Sequence, residues 1–227
     1  MIMNEILDKI SSINRDAYIV GGYVRDKLLG IESFDIDICT NASIDELVNL
    51  FNNGTCFKKY YSYHIKDNKY HYDITCFRKE LSYIDSKPDK IVLCDNIEED
   101  AIRRDFTINA LYMDKNGKIY DFYNGIDDIK NKVIRTIGKA KDRFLEDNTR
   151  IIRAIRLAIC LDFELDSDIK EFLKSDYIKL SEMRYEICEL NYDHFKQLIS
   201  DLCTYLKVSC PDVDVERDRE KIKELLD

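Results

Sequence analysis

The sequence predicts an α/β (α+β) amino-terminal domain with a short mixed sheet, followed by an all-helical region. Short β-rich runs alternate with helical patterns to about residue 138, and apolar residues then recur at helical spacing to about residue 207. Seven Gly and two Pro among 227 residues favour long regular elements joined by tight connections. We therefore predict a first domain over residues 1–138 and a helical second domain over residues 139–227.

The first elements follow a helix–strand–helix order. Residues 4–14 carry apolar side chains at helical spacing, and AYIV (17–20) is a β-rich run that ends at Gly21-Gly22. The following YVRDKLLG predicts a helix that ends at Gly30, since glycine readily adopts the left-handed conformation common after a helix.

The next elements predict the body of the sheet. FDIDICT (34–40) alternates polar and apolar residues as a strand does. Asn41 or Ser43 can cap a helix over IDELVNLFNN, and Ser43, followed three residues later by Glu46, matches the pattern of a capping box. Residues 56–65 and 69–79, rich in Tyr and Phe, predict a pair of strands.

The last part of the first domain is less regular. Residues 80–93 have weak periodicity and contain Pro88, so we predict a loop there. An apolar run after Asp105 predicts a helix, and LYMDKNGKIYDF predicts a hairpin with Asn116-Gly117 at its turn. The tail VDVERDREKIKELLD predicts a charged helix or a frayed end.

Composition indicates a soluble globular chain, with 45% hydrophobic and 35% charged residues. Neither a signal peptide nor an apolar run near the ~20 residues of a membrane span occurs, so we expect a cytoplasmic protein without a membrane partner. The eight cysteines include no Cys-x-x-Cys pair, and we expect them to be reduced and mostly buried. The formal charge of −9 predicts weak, salt-sensitive RNA affinity, although a local basic stripe can still bind phosphate.

Asp35 and Asp37 are the first candidates for chemistry. Residues two apart on a strand project from one face, so both carboxylates can hold divalent cations. Two cations ~4 Å apart can clamp the entering and leaving oxygens of a phosphoryl transfer. Similar pairs at Asp166/Asp168 and at residues 212 and 214 read as solvated surface, so the pattern alone has an alternative: an acidic edge strand beside a tight turn.

The context of Asp35 and Asp37 favours the metal interpretation. A Gly21-Gly22 turn after a strand leaves backbone N–H groups at a helix amino terminus, where they can bind a triphosphate. Arg25, one turn into that helix, adds a cation for a phosphate.

Two further segments carry clustered cations. RRDFTINALYM (103–113) supplies Arg104, Asp105 and Asn109 as candidates for sugar and phosphate contacts; the alternative is a core helix capped by Asp105. FLEDNTRIIRAIRLA (144–158) repeats charged residues every three positions, which aligns them along a slowly turning stripe of one helix. The alternative there is a solvated charged stripe. The stripe residues are Asp147, Arg150, Arg153 and Arg156.

Six segments in order resemble motifs of the bacterial and eukaryotic class of tRNA CCA-adding enzymes and their bacterial poly(A) polymerase relatives, within the DNA polymerase beta nucleotidyltransferase superfamily. The segments are GGYVRDKLLG with FDIDICT, RRDFTINAL, DFYNGIDDIKNKVIRTIG, RFLEDNTRIIRAIRLA and LSEMRYEICEL. The resemblance implies a nucleotidyltransferase head followed by a helical neck. It also implies addition of C and A residues, from CTP and ATP with Mg²⁺, to the 3′ end of tRNA.

The resemblance assigns roles residue by residue. Asp35 and Asp37 would ligate magnesium, and Gly22, Arg25 and Arg104 would hold the triphosphate and sugar.

The resemblance further implies that Asp147 and Arg150 read the base, with Arg153 and Arg156 nearby. Cytosine and adenine both present an amine donor beside a ring-nitrogen acceptor, which a carboxylate and a guanidinium can pair. Uracil and guanine present the opposite polarity, so we expect discrimination of ~1–3 kcal/mol per contact.

Asp73, in the strand YHYDITCF, is a third catalytic candidate. It could help to deprotonate the RNA 3′-hydroxyl or complete a metal shell, and the alternative is a surface aspartate.

Members of the resembled family are commonly longer than this chain. The resemblance therefore covers the catalytic and base-reading parts and leaves little sequence for the parts that bind the rest of the tRNA. Three alternatives remain open beside CCA addition: poly(A) or other RNA tailing, nucleotidyl transfer to another acceptor, and a non-catalytic RNA-binding module. A tailing enzyme would be expected to carry a basic extension, which the acidic carboxyl end does not supply.

Overall fold

In the computed structural model, which describes residues 3–84 and 87–174, the chain divides into two units. The first contains residues 3–131 with 135–137, and the second contains residues 132–134 with those from 138 onward. From residue 132 the chain therefore belongs to the second unit, returns to the first at 135–137, and belongs to the second again from 138. This change of unit occurs next to the predicted boundary after residue 138. The helical pattern over 175–207, the motif LSEMRYEICEL and the charged tail lie outside the described residues.

The first unit combines helices with a large sheet and a separate hairpin. Its helices are α1 (Met3–Ser12), α2 (Gly22–Leu29), α3 (Ile44–Leu50), α4 (Ile97–Ala101) and α5 (Gly125–Lys130). Its strands are β1 (Ala17–Val20), β2 (Asp35–Thr40), β3 (Gly54–Phe57), β4 (Ser62–Lys66), β5 (His71–Cys76), β6 (Arg78–Ile84), β7 (Lys87–Leu93), β8 (Leu111–Met113) and β9 (Ile119–Asp121).

The sheet is mixed, as the sequence predicts. Seven strands lie in the order β3-β4-β5-β2-β1-β8-β9, with β2 and β5 parallel and the other neighbours antiparallel. Buried Ile36 and Ile38 of β2 lie beside buried Tyr72 and Ile74 of β5 and form one apolar face. Because side chains alternate along a strand, Asp35 and Asp37 project from the opposite face.

Three local signals are confirmed. Ser43 and Glu46 form both hydrogen bonds of a capping box at the start of α3. Gly30 adopts the left-handed conformation after α2 and donates its N–H to carbonyls of α2. The predicted hairpin forms between β8 and β9, with Gly117 at a φ of 83°.

The loop predicted over residues 80–93 is wrong, because β6 and β7 form a two-stranded antiparallel hairpin there. This hairpin lies outside the main sheet and exposes Leu81, Ile84 and Val92, so its strands lack the one-sided alternation of a half-buried strand. Pro88 lies near the start of β7, where a missing N–H is tolerated.

The helix predicted after Asp105 is also wrong. A single 3-10 turn spans Thr107–Asn109 and leads directly into β8. The Thr107 N–H donates to the Arg135 carbonyl, and the Ile137 N–H donates to the Asp105 carbonyl. These distant backbone partners replace the local ones that a helix would use.

The second unit is mainly helical, with α6 (Ala140–Glu146), α7 (Thr149–Leu161) and α8 (Ser167–Lys174) in its described part. The all-helical prediction needs one correction, because β10 (Val133–Ile134) pairs in parallel with β11 (Glu164–Leu165). Asp166 and Asp168, expected to be solvated surface, accept backbone N–H groups at the starts of α8 and α6. They cap helices.

The five described cysteines are free, as predicted, but they are not mostly buried. Cys39 and Cys76 are buried, Cys56 and Cys94 are half-buried, and Cys160 is exposed. Within the described residues, no helix has the length and apolar character needed to cross a membrane.

Candidate active site

The exposed carboxylates of Asp35 and Asp37 lie on one face of the sheet. The strand register shows which residues of the neighbouring strands lie on the same face. Asp37 pairs with Asp73 on β5, and Asp73 pairs with His64 on β4. On the other side, Asp37 pairs with Val20 of β1. Because side chains directly opposite each other share a face, the three predicted catalytic aspartates lie on the same side of the sheet.

Gly21 brings the turn before α2 against this carboxylate face. Its φ is 78°, and a Cβ at this position would lie 2.7 Å from Asp37 Oδ2 and 3.8 Å from Arg104 Nη1. Only glycine fits here without strain or a clash. Gly22 begins α2, and a Cβ there would lie 3.4 Å from Arg25 Nη2. The predicted turn, the carboxylate and two predicted cations are therefore assembled in the first unit.

Arg104 is held by buried hydrogen-bonding groups. Its Nε donates to the Tyr112 hydroxyl at 2.9 Å, its Nη2 lies 3.3 Å from Asp100 Oδ2, and Tyr112 donates to the same oxygen at 2.7 Å. Burial opposes ionisation of Asp100, but Arg103 and Arg104 lower its pKa to about 2. Burial alone would lower the pKa of Arg104; Tyr112 and Asp100 nevertheless raise it above its ordinary value. Arg104 is thus a fixed cation.

Arg25 connects α2 with the 3-10 turn. Its Nη1 donates to Asn109 Oδ1 at 2.7 Å, while its Nε and Nη2 donate to Asp26 Oδ1 at 2.8 and 2.6 Å. Asn109 in turn donates from Nδ2 to Asp105 Oδ1 at 3.3 Å. Arg25, Asp105 and Asn109, predicted as nucleotide contacts, therefore form one hydrogen-bonded chain, in which Asp105 and Asn109 are buried.

Two histidines accompany the carboxylates. His64 Nδ1 lies 2.8 Å from Asp73 Oδ1, and His71 Nδ1 lies 3.6 Å from Asp35 Oδ1. The His64–Asp73 distance is short enough for an ion pair when the imidazole is protonated. The second oxygen of Asp73 remains available for another donor.

The chemistry of the donor set fits magnesium. No group of three or more His, Cys, Asp or Glu side chains within residues 3–84 and 87–174 is arranged to hold a metal ion. Mg²⁺, however, usually keeps several waters and binds through one or two carboxylates together with substrate phosphates. Asp35 and Asp37 supply two exposed carboxylates on one face and meet that requirement.

In the second unit, the predicted base-reading pair lies where α6 ends and α7 begins. Asp147 Oδ1 accepts from the Thr149 N–H at 3.0 Å and from its hydroxyl at 2.6 Å. The buried Arg150 donates from Nη1 to the Arg143 carbonyl at 3.0 Å and to Glu146 Oε2 at 2.9 Å. Its Nε lies 3.7 Å from Asp147 Oδ2. Both side chains are thereby oriented by their neighbours.

The prediction of one continuous charged stripe from Asp147 onward needs correction. Asp147 follows α6 in an extended conformation and lies outside α7, so only the arginines share a helix. Arg150 is buried, whereas Arg153 and Arg156 are exposed.

Several residues of this arrangement were missed at the sequence level. Asp100 precedes Arg104 by four residues, a spacing at which helical side chains meet, so the ion pair had a local signal. Tyr112 and His64 had none: the packing of β8 against α4 and the segment after it brings Tyr112 to Asp100 and Arg104, and the sheet register brings His64 to Asp73.

Comparison with known proteins places this geometry in context. Residues 17–135 match the family described as the poly A polymerase head domain. A CCA-adding enzyme of Ligilactobacillus salivarius is 39% identical over 190 residues, covering 80% of this chain and 45% of the relative. One from Staphylococcus epidermidis is 38% identical over 196 residues, covering 86% and 48%.

The similar solved structures are likewise of a CCA-adding enzyme and a tRNA nucleotidyltransferase. The Bacillus stearothermophilus CCA-adding enzyme in complex with CTP superposes with a TM-score of 0.72 at 30% identity, covering 88% of this chain and 47% of that one. A tRNA nucleotidyltransferase complexed with a primer tRNA and an incoming ATP analog gives 0.61 at 30% identity, covering 88% and 55%. The chain spans about half the length of the curated relatives that it matches.

Proposed function

Because the chain belongs to the poly A polymerase head domain family, we propose that it is a template-independent nucleotidyltransferase. It adds C residues, A residues or both, taken from CTP and ATP, to the 3′ end of tRNA and releases pyrophosphate. The same proposal locates the protein in the cytoplasm, where these substrates occur.

One observation carries the proposal: Gly21 sets the start of α2 against Asp37 and Arg104, on the sheet face that also carries Asp35. A helix amino terminus and a fixed guanidinium are suited to bind phosphate groups. The two aspartates beside them provide oxygen ligands for a cation. The similarity to proteins solved with CTP and with an ATP analog supports nucleoside triphosphates as the substrates.

The mechanism assigns a role to each group on this face. Asp35 and Asp37 would hold Mg²⁺, which when bound neutralises the triphosphate charge and aligns the reacting phosphate. Arg104 binds a phosphate oxygen and stabilises the charge that develops on the leaving pyrophosphate. Asp73 accepts the proton of the acceptor 3′-hydroxyl on the oxygen that His64 does not occupy.

Four further residues position the nucleotide in this proposal. The Gly22 N–H lies in the first turn of α2, where no intrahelical acceptor exists, and faces the phosphates. Arg25 adds a cation, and its hydrogen bond to Asn109, continued to Asp105, holds the residues proposed to contact the sugar.

Base selection is proposed for Asp147 and Arg150. The carboxylate accepts from the exocyclic amine of cytosine or adenine, and the guanidinium donates to the adjacent ring nitrogen. The hydrogen bonds from Thr149 and to Glu146 support this role, because they fix the orientation of both side chains. Arg153 and Arg156 are proposed as additional cations near the nucleotide.

The deciding experiment is extension of tRNA that lacks its terminal CCA, with each nucleotide supplied separately and in combination, in the presence of Mg²⁺. A ladder that stops after the CCA positions supports the proposal. An open-ended smear with ATP indicates poly(A) tailing, which the family also contains. If no RNA is extended with any nucleotide, the proposal is wrong.

Two variants test the assigned residues. Asp37→Asn should lower the extension rate by about 100-fold or more, since a bound metal stabilises the transition state by several kcal/mol. Asp95→Asn, at an exposed position outside the site, is the matched control. Asp147→Ala should weaken the preference for C and A over U and G, and an unchanged preference would remove Asp147 from base reading.

A further inference from the structure

An exposed aromatic side chain lies on the same sheet face as the three aspartates. Phe57 pairs with Ser62 at the end of β3, so its ring lies on the face that carries His64 and Asp73. The Phe57 and His64 ring centroids are 4.6 Å apart, and Phe57 remains 44% exposed. Contacts of His64 with Asp73 at 2.8 Å and with Ser62 Oγ at 3.2 Å fix the imidazole. Phe57 and His64 therefore form a solvent-accessible aromatic pair, in which His64 contacts Asp73.

This pair lies on one side of the proposed metal ligands, and the phosphate-binding groups lie on the other. The register runs from His64 through Asp73 to Asp37, and it continues through Val20 to Tyr112, which holds Arg104. In nucleotidyl transfer, the attacking and leaving oxygens are roughly in line on opposite sides of the phosphorus. With the triphosphate beside Arg104, the attacking hydroxyl approaches from the β5–β4–β3 side.

The charge of this side suits a nucleic-acid strand. Residues 47–66 contain no Asp or Glu in a chain with a formal charge of −9, and they contain three lysines. Lys59 and Lys66 are exposed, and Lys58 makes a long, exposed contact to Asp45 at 4.0 Å. Cations beside an exposed aromatic ring are the pattern by which proteins bind single-stranded RNA, with phosphates on the cations and bases on the ring.

We propose that Phe57 and His64 form the stacking site for the 3′-terminal base of the RNA acceptor, and that this stacking brings its 3′-hydroxyl to Asp73. The inference rests on the proposed nucleotidyl transfer and adds the way in which the acceptor end is held. Stacking tolerates any base, which suits a terminal nucleotide that changes after each addition.

Steady-state kinetics separate this role from a general loss of structure. Phe57→Ala should raise KM for tRNA lacking CCA by about tenfold, the order expected for loss of one stacked base, and leave KM for CTP unchanged. Phe57→Tyr, which keeps an aromatic ring, should restore the wild-type KM for tRNA. The matched control is Leu81→Ala, at an exposed apolar side chain, 56% exposed, on the separate β6–β7 hairpin. An unchanged KM for tRNA in Phe57→Ala, or an equal rise in the control, would overturn the inference.

A direct binding readout requires no nucleotide. The chain contains no tryptophan, so Phe57→Trp introduces a single reporter. Its fluorescence should be quenched by tRNA lacking CCA and not by the same RNA with an abasic 3′-terminal nucleotide, whereas Leu81→Trp should respond to neither. Equal quenching by both RNAs would reject stacking of the terminal base. Extension by the wild-type protein tests the proposed function separately, so the two failures are distinguishable.

Discussion

At the scale of single residues, the candidate site contains a glycine whose close contacts leave no room for a side chain. Gly21 combines a left-handed φ with a position whose Cβ would clash with Asp37 Oδ2, so two independent physical reasons require glycine there. Gly30 has a similar φ of 73° but no atom within 4 Å of its Cβ position. Comparison of the two glycines therefore separates backbone strain from displacement of the carboxylate.

Gly21→Ala should lower kcat/KM for nucleotide addition by about 100-fold, because a carboxylate displaced by ~1 Å loses its alignment. Both Gly21→Ala and Gly30→Ala should lose ~1–2 kcal/mol of stability because of the positive φ, but Gly30→Ala should retain activity. Urea unfolding and extension kinetics on both variants measure the two effects. Equal activities would show that the contact with Asp37 is unimportant.

Tyr112 acts on the site through Arg104. Tyr112→Phe removes the acceptor of the Arg104 Nε–H and the donor to Asp100, so KM for CTP and ATP should rise by about tenfold with a smaller change in kcat. Tyr63→Phe is the matched control, since its buried hydroxyl also makes two hydrogen bonds, with Phe51 and Gly54. It should lose comparable stability and keep the nucleotide KM. The same rise in both variants would assign the effect to stability alone.

At the scale of elements, α3 supports the strands that lie beside Asp73. The helix contacts β3 and β4, and its first turn is closed by Ser43 and Glu46. Hydrogen bonds from Arg15 and from the Ser43 N–H lower the pKa of Glu46 to about 2, so the capping carboxylate stays ionised at neutral pH. The cap is therefore complete under physiological conditions.

Ser43→Ala should destabilise the protein by ~1 kcal/mol, because the Glu46 N–H loses its acceptor at the start of α3. The measurement is the urea midpoint followed by circular dichroism. Ser82→Ala, which removes only an exposed 3.4 Å contact to Asp89, should leave the midpoint nearly unchanged. A loss no larger than in this control would contradict the capping role.

At the scale of the whole molecule, burial of an ionic cluster connects stability with pH. Asp100 is fully buried among Arg103, Arg104 and Tyr112, and its pKa falls to about 2 from an ordinary value near 3.8. The unfolded chain therefore binds more protons than the folded one between these two values. The stabilisation is fully present above about pH 4 and is lost as the pH falls toward 2.

This stabilisation should amount to roughly 2 kcal/mol, since one pKa unit corresponds to about 1.4 kcal/mol. Unfolding free energies measured between pH 2 and 6 should decline below pH 4 in the wild-type protein. In Asp100→Asn the protein should be less stable at neutral pH, and its decline below pH 4 should be shallower. Parallel curves for the two proteins would exclude Asp100 as a source of acid sensitivity.

Much of the candidate site could be predicted because its signals are local. The spacing of Asp35 and Asp37 places both on one face of any strand, and the glycines after AYIV end that strand wherever it packs. The Ser43–Glu46 cap is local in the same way. The hairpin β6–β7 could not be predicted, because its strands lack a single buried face.

The sequence by itself determined the order of strands and helices in the first unit up to α3, the paired aspartates and the glycine turn, because each depends on residues within a few positions of one another. The single strand predicted over residues 56–65 is wrong, because β3 and β4 lie there on either side of a 3-10 turn over Lys58–Tyr60. Only the tertiary structure decided that Asp105 precedes a turn and a strand, since its backbone partners lie some 30 residues away at Ile137. It also decided that Tyr112 holds Arg104 and that His64 contacts both Asp73 and the Phe57 ring. The contacts of His64 arise from strand register, which pairs residues distant in sequence, and the Tyr112–Arg104 contact arises from packing between a strand and the segment after α4.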